Sequence, residues 1–392
     1  MEIRFCNKRD VEQVKNIWEY CFNDSQEYVD FYFENKFNPE STIALDDEGR
    51  IISSIHLNNH TLNMYFKEFE VPYVVGVSTL PEARGIGRMG ELMNASLQYM
   101  YNEGYEISIL MPIDFRLYTK YGFENCYDIL VQNVKVDDLK KFKITGNFRK
   151  AEEPEELEEI YRYSQSGYNG YSVRDEVYFE QFIDEMERDG GHIYINYIDS
   201  EPEGYIAYSI DNDNMIVREC YFKTVQSYKS MLKFIFNHNT QVKTAEIYSP
   251  VDDVLRHMLD NPKDGQFEIK PFMMGRVINL EKFVDKLDVP AEEEFMPFKI
   301  AVKDAQLEGN NGIFEFYNDE GSVKVNKIGE IQEVEDIDIF TVNEISALMF
   351  GYMEIEKLDF MRDEKINCII ELRELLNSIK EGKKANHINE YV

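Results

Sequence analysis

The sequence predicts an α/β (α+β) protein of more than one domain, and three observations carry that expectation. Its 392 residues exceed what one ordinary core holds. Runs with strand alternation interleave with runs at helical spacing along most of the chain. Hydrophobic residues make up 43% and charged residues 30%, the balance of a folded globular chain.

The first segment, 1–136, opens on a strand at 1–5. Val11, Val14, Ile17, Trp18, Cys21 and Phe22 then fall at helical spacing, after the cap pair Asn7 and Asp10. Strands are expected at 42–45 and 51–57 around an Asp-Asp-Glu-Gly turn, then at 63–66 and 73–79. A helix over 86–103 carries the stripe Met89, Leu92, Met93, Leu97 and Met100. An apolar strand at 106–112, a short helix at 115–121 and a strand at 127–136 complete the segment. The second segment, 147–285, repeats this rhythm more weakly. It has helices from Pro154 and around Tyr178–Met186, strands at 192–198 and 205–210 joined at Ser-Glu-Pro-Glu-Gly, and a strand at 215–222. A helix at 227–237, a strand at 245–249 and a helix at 254–259 follow. The third segment, 291–392, reads as strands at 299–302, 313–317 and 322–325 with helices at 342–352 and 365–379.

The formal net charge of −32 repels nucleic acid and anionic membrane, so neither is expected as a partner. Cations are drawn in. Screening acts over about 8 Å at physiological salt, so only acids that line a pocket select a substrate. Five widely spaced cysteines with no Cys-x-x-Cys predict no disulfide framework or metal site, and a reducing, cytoplasmic location. The first ten residues hold no apolar run, and no stretch of about 18 apolar residues occurs, so neither a secretory signal nor a membrane span is expected.

The chemistry concentrates in Val75-Gly76-Val77-Ser78-Thr79-Leu80-Pro81-Glu82-Ala83-Arg84-Gly85-Ile86-Gly87-Arg88. A strand runs into a glycine-rich turn that opens a helix. The first amides of a helix have no internal partner, and the helix dipole adds positive potential, which suits a diphosphate. Gly85 and Gly87 let the backbone approach a ligand, and Arg84 and Arg88 add local positive charge. No Gly-Lys-Ser/Thr follows, which excludes a P-loop, and the turn comes too late in the segment for a Rossmann site. A second stretch, Tyr118-Thr119-Lys120-Tyr121-Gly122-Phe123, follows the apolar strand at 107–112.

Together the two stretches resemble the Arg/Gln-x-x-Gly-x-Gly/Ala motif and the later Tyr-bearing motif of GNAT acetyltransferases. Met89 departs from the first of these, where glycine or alanine is usual. A bulky residue there, and the rest of the chain, resemble the enhanced intracellular survival branch of that family. The resemblance implies two GNAT-type domains, the second degenerate and without a coenzyme site, and a sterol-carrier-like domain at 291–392. It also implies acetyl-CoA as co-substrate and assembly as a trimer or hexamer. In the family's splayed strand, Val77 and Thr79 would face the pantetheine arm, and Arg84, Gly85, Gly87 and Arg88 the diphosphate.

Acyl transfer to an amine needs a neutral amine, a polarised thioester carbonyl and a proton for the departing thiolate. By resemblance, Tyr118 supplies that proton and the terminal carboxylate, here Val392, accepts the proton of the amine. Asp24 and Glu390 are the acids expected to hold a cationic amine. The six histidines fall outside both motifs, and no Cys or Ser sits in a triad-like setting, so direct transfer in a ternary complex is expected. Three functions stay open: an aminoglycoside-like amine acetyltransferase, a protein or peptide lysine acetyltransferase, and a non-enzymatic lipid- or CoA-binding protein.

Overall fold

The structure is a computed structural model that describes residues 1–291, 295–331, 337–380, 382 and 384–391. In chain order the first segment contributes β1 (Glu2–Phe5), α1 (Val11–Cys21), α2 (Gln26–Asn35), β2 (Thr42–Asp47), β3 (Arg50–Met64), β4 (Lys67–Thr79), α3 (Arg88–Glu103), β5 (Ile107–Leu110) and β6 (Glu124–Lys135). The second adds β7 (Asn147–Lys150), α4 (Pro154–Gln165), β8 (Tyr171–Ser172), α5 (Glu176–Arg188), β9 (His192–Ile198), β10 (Glu201–Asp211), β11 (Asn214–Phe222), α6 (Val225–Phe236), β12 (Thr244–Ser249), α7 (Leu255–Met258), β13 (Gln266–Val277) and α8 (Leu280–Leu287). The third holds β14 (Phe298–Lys303), β15 (Gly312–Asp319), β16 (Ser322–Gly329), β17 (Asp338–Thr341), α9 (Val342–Met349), α10 (Ile355–Met361) and α11 (Ile369–Lys380).

The first two segments share one sheet, in the order β1-β2-β3-β4-β5-β13-β6-β12-β11-β10-β9-β7. The join is an exchange. β13 comes from the second segment but lies antiparallel between β5 and β6, with Met274 opposite Leu110 and Ile269 opposite Leu130. β6 in turn pairs with β12, with Ala245 opposite Val134. The third segment forms a separate sheet, β16-β15-β14-β17, whose core is continuous with that of the first. Phe298, Phe316, Phe340 and Leu348 belong to the same buried cluster as Leu62, Phe69 and Tyr127. Segments that exchange a strand and share a core gain the hydrophobic contribution of that core only together.

Several local readings shift. The hairpin of β9 and β10 turns at Asp199 and Ser200, both at positive φ, a two-residue turn matched to strand twist. Pro202 of the expected turn lies in β10, at a register shift where a missing N–H is tolerated. The short helix at 115–121 is two successive 3₁₀ turns. α11 begins at Ile369, four residues after the expected start.

Candidate active site

β4 and β5 run parallel but pair only at Tyr73 with Ile109 and Val74 with Leu110. Beyond that they diverge. The cause is a bulge: Gly76 and Val77 stand opposite the single residue Ile55. Gly76 sits at φ +58°, and a side chain there would meet Trp18 at 2.6 Å and His56 at 3.0 Å. The divergence opens a cleft of about 690 Å³, with Val77, Ser78 and Thr79 on one wall.

Arg84, Gly85, Gly87 and Arg88 line the same cleft at the start of α3. Gly85 and Gly87 have φ +75° and +88°, and a Cβ on either would project into open space. Gly87 is the N-cap of α3, and no side chain caps it. The first helical bond runs from the Glu91 N–H to the Gly87 carbonyl at 3.1 Å, so the amides of residues 88–90 lie ahead of it. Arg84 donates through Nε to the Thr79 carbonyl at 2.8 Å, which ties the loop to the strand end. Arg88 donates to both oxygens of Glu91 at 2.9 Å, while its Nε is buried without a partner among the described residues. Close approach at the departure from the motif comes one residue late. A Cβ on Gly90, which follows Met89, would stand 2.8 Å from the Tyr121 hydroxyl.

Tyr118 faces this cleft from the junction of the two 3₁₀ turns. Asp114 opens the first turn by accepting from the Arg116 N–H at 2.9 Å. Gly122 closes the second at φ +84°, where a side chain would strike Val342 and Arg276. Tyr118 is 6% exposed, and its hydroxyl has no protein partner among the described residues. Burial pushes its phenol up to about 12.

Side chains distant in sequence hold this turn by its carbonyls. Asn343 Nδ2 donates to Thr119 O and to Phe123 O, each at 2.9 Å. Gln306 Nε2 donates to Lys120 O at 2.9 Å, and Arg276 Nε to Tyr121 O at 2.7 Å. Arg276 is itself fixed by Asp304 at 2.8 Å, with both side chains fully buried. The third segment and the exchanged strand thus brace the Tyr118 turn.

A second cleft, of about 320 Å³, is reached by the loop after α1. Cys21 and Phe22 line the first cleft, and Asp24 lines the second. Asp24 accepts from the Trp18 indole N–H at 2.8 Å. Glu185 and Asp189 join it, against one cation, Arg218. Glu185 is paired with Arg218 at 2.5 Å and Lys36 at 2.9 Å. Burial, then the charge of Glu185, holds the Asp189 carboxyl above the ordinary carboxylate range. Tyr28, Tyr248 and Tyr391 complete the wall.

Tyr391 brings the C-terminal tail to this cleft. Glu390 beneath it is buried, its Oε1 accepting from Arg174 Nε and its Oε2 from the Tyr178 hydroxyl, both at 2.8 Å. Arg174 also donates to Glu219 Oε1 and to Asn389 O, and its guanidinium lies over the rings of Tyr161 and Tyr178 at 4.3 and 4.5 Å. Val392 lies outside the described residues.

Of the residues singled out from sequence, Val77, Thr79, Arg84, Gly85, Gly87, Arg88 and Tyr118 therefore line one cleft, and Asp24 lines its neighbour. Glu390 is engaged on both oxygens below the tail. Sequence reasoning passed over Glu185, Asp189, Arg174 and the brace residues. Each is an isolated polar residue with no motif around it.

Two stretches of the chain, residues 2–126 and residues 170–277, each match a family model described as an acetyltransferase (GNAT) domain. A comparison with curated proteins gives no match. Among solved structures, a conserved protein from Enterococcus faecalis described as a probable N-acyltransferase is 19% identical, with a TM-score of 0.86 over 100% of this chain and 99% of its own. A GCN5-related N-acetyltransferase from Anabaena variabilis is 18% identical, with a TM-score of 0.82 over the whole of both chains. Eis1 from Mycobacterium abscessus is 15% identical, with a TM-score of 0.76, again over both whole chains. These likenesses are of fold. The chain carries two GNAT acetyltransferase domains and is an acyltransferase. Among the described residues no helix is long and apolar enough to cross a membrane.

Proposed function

We propose that the protein transfers the acetyl group of acetyl-CoA to a primary amine of a cationic, aminoglycoside-like small molecule, by direct attack in a ternary complex. The observation that carries this reading is the single cleft in which Arg84, Gly85, Gly87 and Arg88 meet Tyr118, next to a cleft whose acids outnumber its cations. GNAT domains generally use acetyl-CoA. The open space at Gly85 and Gly87 and the uncapped start of α3 fit a diphosphate. Val77 and Thr79 take the pantetheine arm. The amine is held from the second cleft, with Asp24 and Asp189 as its counter-charges. Glu390 contributes by anchoring the tail and by leaving the Arg174–Glu219–Glu390 cluster net negative. The amine nitrogen bonds to the thioester carbon as the carbon–sulfur bond breaks. The ammonium proton goes to the terminal carboxylate of Val392, and the Tyr118 hydroxyl donates to the departing sulfur.

The degenerate character of the second GNAT domain has a local basis. Its helix α6 is capped by Thr224, which accepts from the Ser227 N–H, so that helix start is already partnered. The third segment acts as the brace of the Tyr118 turn, and its sterol-carrier-like ancestry is carried by the sequence resemblance alone.

Thiol release from acetyl-CoA, measured across aminoglycosides, polyamines and lysine peptides, tests the function. Release with the small cationic amines is expected. Release with peptides alone would replace the acceptor, and no release with any amine would remove the enzyme reading of this site. Gly87→Ala places a side chain at φ +88°, a conformation costing about 1–2 kcal/mol for a non-glycine residue. Calorimetry should show CoA binding weakened by about tenfold. Asn343→Ala removes two hydrogen bonds to the turn. It should lower kcat by about tenfold with the CoA dissociation constant unchanged, since net bonds of this kind contribute about 1 kcal/mol each. A loss confined to CoA affinity would contradict the positioning role.

A further inference from the structure

The second GNAT domain has its own pair of diverging parallel strands. β11 and β12 pair from Asn214 with Thr244 to Val217 with Ile247, and then separate. Between their ends lies a cleft of about 260 Å³. It is not built for a diphosphate. The helix start beside it is self-capped, and its wall holds Asp252 and Asp253 with one cation, Lys384, whereas Arg84 and Arg88 line the first cleft. Much of the remaining wall is aromatic, with Tyr168, Tyr221 and Phe222, the last stacked on Tyr228 at 4.3 Å.

Gln165 points to an occupant. It is 1% exposed and lines the cleft, and neither its Nε2 nor its Oε1 has a partner among the described residues. A buried amide without partners is unfavourable unless something else satisfies it. Two residues behind the wall, outside the lining itself, each keep one atom unpartnered among the described residues. Gln132 donates through Nε2 to Asp253 Oδ1 at 2.9 Å, but its Oε1 is unpartnered. His387 has Nε2 3.0 Å from the Tyr221 hydroxyl, but its Nδ1 is unpartnered. The charges are also unbalanced. Asp252 is paired at 3.3 Å with Lys384, the one cation of the lining, whose ammonium lies 4.7 Å over the Tyr168 ring. Asp253 has no ion pair among the described residues and is held by neutral donors alone: the Tyr228 hydroxyl at 2.9 and 3.0 Å, the Leu255 N–H at 2.8 Å and Gln132 Nε2. Burial holds the Asp253 carboxyl above its ordinary range, a shift that a cation beside it would reverse.

We propose that this cleft is a second ligand site, separate from the transfer site, for a small primary ammonium ion carried on a flat aromatic body. The ammonium meets Asp253 and the Gln165 carbonyl oxygen. The body lies against Phe222 and Tyr168, an environment that favours cations and flat rings together.

The probe is 4-bromobenzylamine, soaked into crystals of the full chain and located by the anomalous signal of bromine. A bromine peak between Tyr168 and Phe222 is expected. Gln165→Leu removes an amide that bonds nothing, so it should leave the melting temperature unchanged or raised. In solution it should weaken binding of the probe by about tenfold, read against the unsubstituted protein by calorimetry. A peak confined to the acidic cleft at Asp24, no peak at saturating probe, or equal binding by Gln165→Leu would each overturn the site. CoA titration of the same variant keeps this result separate from the acyl-transfer reading, which predicts unchanged CoA affinity whichever way the amine test falls.

Discussion

Tyr118→Phe is expected to lower kcat by about 10²–10³-fold, the usual effect of deleting one preorganised donor from a transition state. Its affinity for CoA should be unchanged. The magnitude follows from the phenol's surroundings. Burial raises Tyr118 to about 12, so the neutral, donating form persists well beyond neutral pH. A thiol has an ordinary pKa near 8.5, so full proton transfer from such a phenol to a solvated thiolate would be uphill by roughly 3.5 units, or about 5 kcal/mol. Two effects reduce that gap. The sulfur departs into the same buried space, where desolvation raises its own pKa. A hydrogen bond to the developing charge also stabilises the transition state before any proton moves. Tyr118 accordingly acts first as a donor to sulfur and only then as an acid. The sign with pH follows. A neutral phenol favoured by folding stabilises the protein fully below its ordinary value of 10, and that stabilisation is lost as pH rises toward about 12. No Tyr118-linked fall in rate is therefore expected between about pH 7 and 9. Steady-state kinetics of the phenylalanine variant decide the matter, and an unchanged kcat would end the assignment.

The chemistry at the first cleft was legible because local sequence writes it. A strand that runs into Arg-Gly-Ile-Gly-Arg and then a helix must expose amides at that junction, whatever the rest of the chain does. Tyr118 was singled out by the family resemblance, because a Tyr-bearing turn after an apolar strand by itself reads equally as core aromatics. What escaped is held by long-range contacts. β13 starts with an exposed half, Gln266 to Pro271, and ends with a buried one, so it shows neither clean alternation nor a continuous apolar run. Its place between β5 and β6 has no local signature at all. α2 carries its aromatic residues on several faces and was passed over. Glu185 and Asp189 are two of 74 acidic residues, and nothing in their spacing marks them as pocket acids. Asn343, Gln306 and Arg276 lie more than 150 residues from the turn that they hold.

Arg174→Met is expected to destabilise the protein by about 3–5 kcal/mol, the cost of removing one partner from a buried ion pair. One guanidinium serves two carboxylates and a carbonyl, with 1% of its side chain exposed. Methionine fills much of the space but leaves Glu219 and Glu390 buried without their ion-pair partner. The two acids are not equivalent. Burial raises Glu219, whereas at Glu390 burial is outweighed by Arg174, His60 and the Tyr178 hydroxyl, which bring that carboxyl down to about 2. A depressed carboxylate stabilises the fold above its ordinary value of 4.5, and that contribution is lost as pH falls toward about 2. The tail should therefore stay clamped throughout the neutral range in the native protein and come loose in the variant. Glu390→Gln separates charge from shape: it keeps a group that can accept from Tyr178 but gives up the ion pair, and it should fall between the native protein and Arg174→Met. Urea denaturation measures the stability loss. Turnover under conditions where each variant remains folded measures what the tail contributes beyond stability, because CoA affinity, set at the other cleft, should be retained while kcat falls. Wild-type stability in Arg174→Met would show that the cluster carries no net weight. A folded variant with full kcat would show that anchoring the last residues is irrelevant to transfer.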